Sequence, residues 1–84
     1  MNKPAPGLIA TIVKYDALLQ RYARRLLKNQ TMAAALVQEV FELVYDLNGF
    51  NTDAAELRNQ FRSYTLKVCN HWLRTQAMIN HLKK

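Results

Sequence analysis

The sequence contains few residues that interrupt or cross-link a chain: two glycines, two prolines and one cysteine among 84 residues. So few turn-forming residues argue against a disordered tail and against a turn-rich β domain. The single Cys69 cannot form an internal disulfide, and no group of Cys and His residues has the spacing of zinc ligands. We therefore expect a reducing, cytoplasmic environment and neither a metal nor another cofactor.

Long apolar runs and catalytic motifs are also missing. No stretch approaches 18 consecutive apolar residues, and the N-terminus lacks the apolar core of a signal peptide, so we expect neither a membrane contact nor export. His71 and His81 are ten residues apart with no nearby carboxylate, and no glycine-rich phosphate loop or nucleophile constellation is present. The sequence therefore predicts a protein that is not an enzyme and has no catalytic residue.

Charge is distributed unevenly around the net value of +6. Residues 1–30 carry six basic and one acidic side chain, whereas residues 31–53 carry four acidic side chains and no Lys or Arg. Residues 54–84 again carry six basic side chains and one acidic. Two basic segments that flank an acidic one suggest two partners of opposite charge.

The spacing of apolar residues predicts one all-α domain over residues 8–80, a compact three-helix bundle, with a fourth helix left open. The predicted helices cover about residues 8–28, 31–48 and 53–79. Residues 1–7 are expected to form a flexible N-terminus and residues 81–84 a C-terminal tail. Half of the residues are hydrophobic, which is enough for a modest core.

Each predicted helix has one apolar face. The first face comprises Leu8, Ile12, Tyr15, Leu19, Tyr22 and Leu26. The second comprises Ala33, Leu36, Val37, Val40, Phe41, Val44 and Leu47. The third comprises Leu57, Phe61, Tyr64, Val68 and Trp72. A second strip on the third helix, Leu66, Cys69 and Leu73, belongs either to the core, which we favour, or to a partner contact.

Residues that start and stop helices lie between these segments. Thr31 is expected to cap the second helix, and Gly49 to end it, because glycine tolerates the left-handed conformation. Phe50 is expected to hold the following loop on the core. Asp53, with Glu56 three residues later, forms a capping box for the third helix.

Two polar helix faces are candidate binding surfaces. Glu39, Glu42 and Asp46 share one face of the second helix, which is either a docking surface for a basic helix or an ordinary solvated face paired with Arg24 or Arg25. Tyr45 lies beside this face. Along the third helix runs a ridge that could bind phosphates and bases or merely confer solubility: Ser63, Lys67, Asn70 and Arg74.

Two motifs then resemble region two of the extracytoplasmic-function sigma factors of bacteria. They are Ala23-Arg24-Arg25-Leu26-Leu27 and Leu36-Val37-Gln38-Glu39-Val40-Phe41. A weaker similarity runs from Leu57-Arg58-Asn59-Gln60-Phe61 to Trp72-Leu73-Arg74, so that the resemblance covers about residues 12–76. The family's second helix docks on the coiled-coil clamp of the RNA polymerase β′ subunit, and its third helix grips the melted minus-ten promoter strand.

The resemblance implies a transcription-initiation domain that binds the RNA polymerase core and, weakly, single-stranded promoter DNA. The resemblance implies clamp contacts at Gln38 and Glu39, and we expect Glu42 and Asp46 to join them because they share the face of Glu39. The implied DNA contacts are Phe50, Asn51, Ser63, Lys67, Asn70 and Arg74. Met32-Ala33-Ala34-Ala35 replaces an acidic run of the family, which favours an alternative: a stand-alone helical protein-interaction module, with self-association as a variant, that keeps the fold without promoter activity.

Overall fold

Three helices form the whole of the regular structure in a computed structural model that describes residues 6–82. They are α1 (Pro6–Leu27), α2 (Gln30–Asn48) and α3 (Ala54–Leu82), and the described residues contain no strand and no fourth helix. Each helix packs against both of the others. The short connections, residues 28–29 and 49–53, make consecutive helices antiparallel neighbours. The predicted all-α three-helix bundle is confirmed.

The ends of the helices differ from the prediction at both termini. Helix α1 begins at Pro6, so residues 6 and 7 are helical and not part of a flexible N-terminus. Proline suits a first helical turn because the N–H that it lacks has no partner there. Helix α3 continues to Leu82, so the start of the expected tail is helical as well. Residues 1–5 and 83–84 lie outside the described part of the chain.

Asn29, and not Thr31, caps α2. The backbone of Asn29 is extended (φ −141°, ψ 108°), and its side-chain oxygen accepts a hydrogen bond of 3.0 Å from the Met32 N–H. Thr31 lies inside the first turn, where its own backbone is already helical. The preceding Lys28 has a left-handed backbone (φ 54°), and its N–H donates to the Arg24 carbonyl at 2.9 Å. Two residues therefore suffice to reverse the chain.

The turn after α2 forms as the sequence predicts. Gly49 adopts a left-handed conformation (φ 65°), and its N–H donates to the Tyr45 carbonyl at 2.7 Å. Phe50 is left-handed as well (φ 63°), which is uncommon for a residue with a side chain. The centre of its ring lies 5.2 Å from the ring centre of Tyr45 and 5.6 Å from that of Phe61. These two contacts hold the loop on the core.

Helix α3 begins with the predicted side-chain cap. The Asp53 carboxylate accepts a hydrogen bond of 2.8 Å from the Glu56 N–H. This bond satisfies an amide of the first turn that has no partner within the helix. The reciprocal bond of the predicted capping box, from the Asp53 N–H to the Glu56 side chain, is not found among residues 6–82.

The core is built around Phe61, whose ring lies 5.0 Å from Tyr15 and 5.2 Å from Phe41. The predicted faces of α1 and α2 supply most of the other buried side chains, together with Ala23 and Leu27. Leu47 was predicted to be buried, but half of its side chain (51%) is exposed at the end of α2. The side chain of Leu8 lies outside the described ones.

On α3 the buried line differs from the prediction. Thr65 and Cys69 are completely buried, whereas Tyr64, Val68 and Trp72 are only half-buried at the edge of the core. The Thr65 hydroxyl can be buried because it donates a 2.7 Å hydrogen bond to the Phe61 carbonyl. Cys69 is the buried apolar side chain that we expected, while Leu73 of the same strip is 36% exposed.

Candidate protein-docking and nucleic-acid surfaces

The outer face of α2 carries the predicted clamp contacts. Gln38, Glu39, Glu42 and Asp46 are all exposed. Steps of three and four residues place the three carboxylates on one side of the helix, away from the buried valines. We call Glu39, Glu42 and Asp46 the acidic ridge.

No cation of the described chain neutralises the acidic ridge. Between residues 6 and 82, no Lys or Arg side chain lies within 4.0 Å of a carboxylate. The pairing with Arg24 or Arg25 that would have made the ridge an ordinary solvated face is therefore not observed. Arg24 instead donates from Nε to the Gln20 carbonyl at 3.3 Å. Within the described part of the chain, the negative charge of the ridge is therefore not compensated by a direct ion pair.

A groove of about 610 Å³ lies on one side of the ridge, between α1 and α2. Tyr45, 40% exposed, lines it as the sequence suggested. Asp16 adds a carboxylate from α1 that sequence reasoning missed, because only packing brings it next to α2. The complete lining is Ile12, Asp16, Gln20, Ala34, Gln38, Phe41, Glu42 and Tyr45. The groove combines an apolar floor with acidic and amide edges.

A second groove, of about 400 Å³, lies on the other side of the ridge, between α2 and α3. Leu43, 37% exposed, and the half-buried Trp72 contribute apolar surface. Glu39 lines it from α2, and Lys67 and His71 line it from α3. The other lining residues are Leu36, Tyr64, Val68 and Thr75. The acidic ridge thus stands between two largely apolar grooves.

The predicted DNA-binding ridge of α3 is exposed along its length, through Ser63, Lys67, Asn70 and Arg74. We call these four residues the basic ridge. The Lys67 ammonium lies 5.2 Å from the centre of the Tyr64 ring, a cation–π distance. This contact orients Lys67 without neutralising its charge.

The loop after α2 does not join the basic ridge. Phe50 packs on Phe61, and Ser63, two residues further along α3, points to nearly the opposite side of that helix, since each residue turns about 100°. Phe50 is half-buried, with its ring against Tyr45 and Phe61, and its implied contact with DNA stays a prediction. Asn51 is exposed. Only the four ridge residues form a continuous surface.

No protein-family model, curated protein or solved structure matches this chain. The resemblance to sigma factor region two therefore rests on the two motifs of residues 23–27 and 36–41. Its functional consequences are proposals.

A third groove, of about 240 Å³, lies between α1 and α3. Arg58 and Arg62 are both exposed and line it from α3. The remaining lining residues are Tyr15, Leu18, Leu19, Tyr22 and Phe61. Sequence reasoning did not select the two arginines as a site, although their spacing of four residues was a visible signal. We call this feature the arginine groove.

Groups that often support chemistry are sparse in the described residues. No three His, Cys, Asp or Glu side chains of residues 6–82 come close enough together to hold a metal ion. None of the helices there is long and apolar enough to cross a membrane. Cys69 is buried, and burial raises the pKa of its thiol because the charged thiolate is poorly solvated there. This environment suits a packing role for Cys69.

Proposed function

We propose that the chain is a transcription-initiation domain similar to region two of bacterial sigma factors, with no enzymatic activity. One observation carries the proposal: Glu39 of the matched motif lies with Glu42 and Asp46 on an exposed face of α2 that no Lys or Arg side chain of residues 6–82 neutralises. The partner is the β′ coiled-coil clamp of RNA polymerase. Binding to that partner would place the protein in the cytoplasm.

The shape around the acidic ridge supports a helical partner. Apolar grooves run on both sides of the ridge, and grooves of this kind accept apolar side chains of an amphipathic helix. A coiled coil presents the outer faces of two helices side by side, and single apolar side chains on those faces can enter the two grooves. Glu39 borders one groove and Glu42 the other, so each could attract basic residues of the partner and fix its orientation.

The basic ridge supports a contact to melted promoter DNA. Lys67 and Arg74 can neutralise phosphates, while Ser63 and Asn70 can hydrogen-bond to bases or sugars. Two cations release few counterions, so affinity should fall with salt along a slope of roughly −1.4 on logarithmic axes for a single strand. Binding by the isolated domain is therefore expected to be weak, with the polymerase supplying the rest.

A second candidate function is a stand-alone protein-interaction module without promoter activity. The exposure of Ala34 and Ala35 favours it, because these residues stand where the family carries an acidic run. Ala34 adds an apolar side chain to the lining of the α1/α2 groove. In this alternative the same grooves bind a helix of another protein or of a second copy.

Binding to the isolated β′ coiled coil tests the proposal directly. We expect the wild-type chain to bind in biolayer interferometry, and Glu39→Arg and Glu42→Arg each to weaken binding about ten-fold or more. Glu56→Arg is the matched control, since it reverses an exposed carboxylate on α3. If the wild type does not bind, or if all three variants lose affinity equally, the polymerase role is wrong.

Single-stranded promoter DNA separates the two candidates. The sigma-like function predicts salt-sensitive chemical-shift changes along the basic ridge when a minus-ten oligonucleotide is added. The interaction module predicts no change there. Thermal unfolding of each variant confirms that a lost signal does not reflect a lost fold.

A further inference from the structure

The three grooves of the bundle differ in charge. The α1/α2 groove is lined by Asp16 and Glu42, and the α2/α3 groove has Glu39 opposite Lys67. The arginine groove has two arginines and no carboxylate among its lining residues. Neither arginine is paired with an acidic side chain of the described chain. This groove is therefore suited to an anionic ligand.

We propose that the arginine groove binds single-stranded nucleic acid, with Arg58 and Arg62 on backbone phosphates and one base against Tyr22 and Leu18. The binding site is separate from the basic ridge and does not depend on the proposed function. The shared ligand chemistry is a phosphodiester strand with an unpaired base, which either RNA or DNA supplies.

The arginines are placed for neighbouring phosphates. A separation of four residues puts Arg58 and Arg62 on the same side of α3, roughly 6 Å apart along the axis. Both side chains are exposed, so their guanidinium groups can reach a strand that lies along the groove. A guanidinium can bind a phosphate through two parallel hydrogen bonds, which a lysine ammonium cannot do.

The floor of the groove suits a base. Tyr15 and Phe61 are buried beneath it, whereas Tyr22 is half-buried and Leu18 is 48% exposed. An aromatic ring and an aliphatic side chain together give a base a surface to stack on without selecting its identity. The volume of about 240 Å³ is below the roughly 300–1,000 Å³ of most small-molecule pockets. One base fits this groove better than a whole cofactor does.

Cations outside the groove reinforce its positive field. The Lys14 ammonium lies 5.4 Å from the centre of the Tyr15 ring, and Arg21 and Arg25 are exposed on α1. Such a field draws in an anionic chain and orients it before contact. An anionic membrane is less well matched, because Leu18 is the one exposed aliphatic side chain of the lining.

The arginine groove and the basic ridge lie on different sides of α3. Arg62 and Lys67 are five residues apart, which corresponds to about 140° around the helix. Substitutions on one surface therefore leave the other in place. This separation provides a matched pair of variants with the same change in charge on one helix.

Fluorescence anisotropy with short labelled single strands of DNA and of RNA tests the proposal. We expect Arg58→Glu/Arg62→Glu to weaken binding of at least one of the two strands about ten-fold or more, and to reduce the salt slope by roughly 1.4. Arg58→Lys/Arg62→Lys, which keeps the charge, should lose only a few-fold. Lys67→Glu/Arg74→Glu makes the same change in charge on the basic ridge and measures what that surface contributes, and circular dichroism checks folding.

A site-resolved measurement completes the test. On addition of the strand, the side-chain N–H signals of Arg58 and Arg62 and the ring signals of Tyr22 should shift. Absence of these shifts, or a loss of affinity below two-fold for the Arg58/Arg62 pair, would overturn the proposal. The proposal would also be overturned if the protein bound phosphatidylserine vesicles through Arg58 and Arg62 but bound neither strand. Failure here leaves coiled-coil binding by Glu39 untouched, so the two proposals fail separately.

Discussion

Glu39 of α2 and Lys67 of α3 line the two sides of one groove without forming a salt bridge. The acidic ridge and the basic ridge therefore meet at this groove. A helix that docks on the acidic ridge through this groove comes close to Lys67, a residue that we assign to nucleic acid. The two proposed surfaces should influence each other electrostatically.

The first prediction concerns Lys67→Glu. This substitution adds negative charge at the edge of the groove, so if basic residues of the β′ coiled coil dock on the acidic ridge, its binding should strengthen two- to five-fold, mainly through a faster association rate. Binding of single-stranded DNA should weaken at the same time. Stopped-flow association at low and high salt measures the first effect. Arg74→Glu is the control, because Arg74 does not line this groove. Equal acceleration by both variants would show that net charge alone acts.

The second prediction concerns the start of α2. Asn29→Ala removes the hydrogen bond to the Met32 N–H and should cost about 1 kcal/mol of unfolding free energy. Thr31→Ala should change the unfolding free energy by less than about 0.5 kcal/mol, because Thr31 caps nothing. Urea unfolding of both variants measures the difference. A larger effect at Thr31 than at Asn29 would contradict the observed cap.

The third prediction concerns the buried hydroxyl of Thr65. Its hydrogen bond goes to a carbonyl of its own helix, so Thr65→Val, which keeps the shape, should alter the unfolding free energy by less than about 1 kcal/mol. Thr65→Ala also removes a buried methyl group and should cost about 1–2 kcal/mol. Denaturant titration of the pair separates packing from hydrogen bonding. If Thr65→Val lowers the unfolding free energy more than Thr65→Ala does, the hydrogen bond of the hydroxyl contributes more to stability than the methyl group does.

The fourth prediction concerns the reactivity of Cys69. Because the thiol is buried and its pKa is raised, a thiol reagent should modify the folded protein far more slowly than the unfolded chain. The reaction is followed by absorbance with and without denaturant. Rapid modification of the folded protein, at a rate close to that of the denatured sample, would mean that the side chain is accessible.

The same burial gives a dependence of stability on pH. In the folded state the Cys69 pKa lies above that of the unfolded chain, so the folded state retains the proton to higher pH. The contribution of Cys69 to stability is therefore complete below the ordinary pKa of an unfolded-chain thiol and decreases as pH rises through the higher folded pKa. Comparing the wild type with Cys69→Ala across this range isolates the effect. Parallel curves for the two proteins would contradict it.

Most of the fold was predictable from apolar spacing, because a three-helix bundle buries one face of each helix. The exceptions have local causes. Thr65 was missed because its hydroxyl marks it as polar, although the helix backbone satisfies that hydroxyl. Leu47 was assigned to the core because it continues the periodicity, but at the end of α2 half of it stays exposed.

The candidate surfaces were predictable only where one helix forms them. The acidic ridge and the basic ridge each follow the spacing of a single helix, and the structure shows both exposed. Each groove lies between two helices, and which residues of the two helices face each other depends on tertiary packing that the spacing along one helix does not predict. Arg58 and Arg62 acquire significance only when Leu18 and Tyr22 of α1 lie beside them.

Helix α3 carries cations on two well-separated sides, Lys67 and Arg74 on one and Arg58 and Arg62 on the other. An α-helix with its side chains is about 10–12 Å thick. Strands bound on both sides at once would have the body of this helix between them, so their bases could not pair again. The helix would then act as a wedge that keeps a separated duplex open without nucleotide hydrolysis.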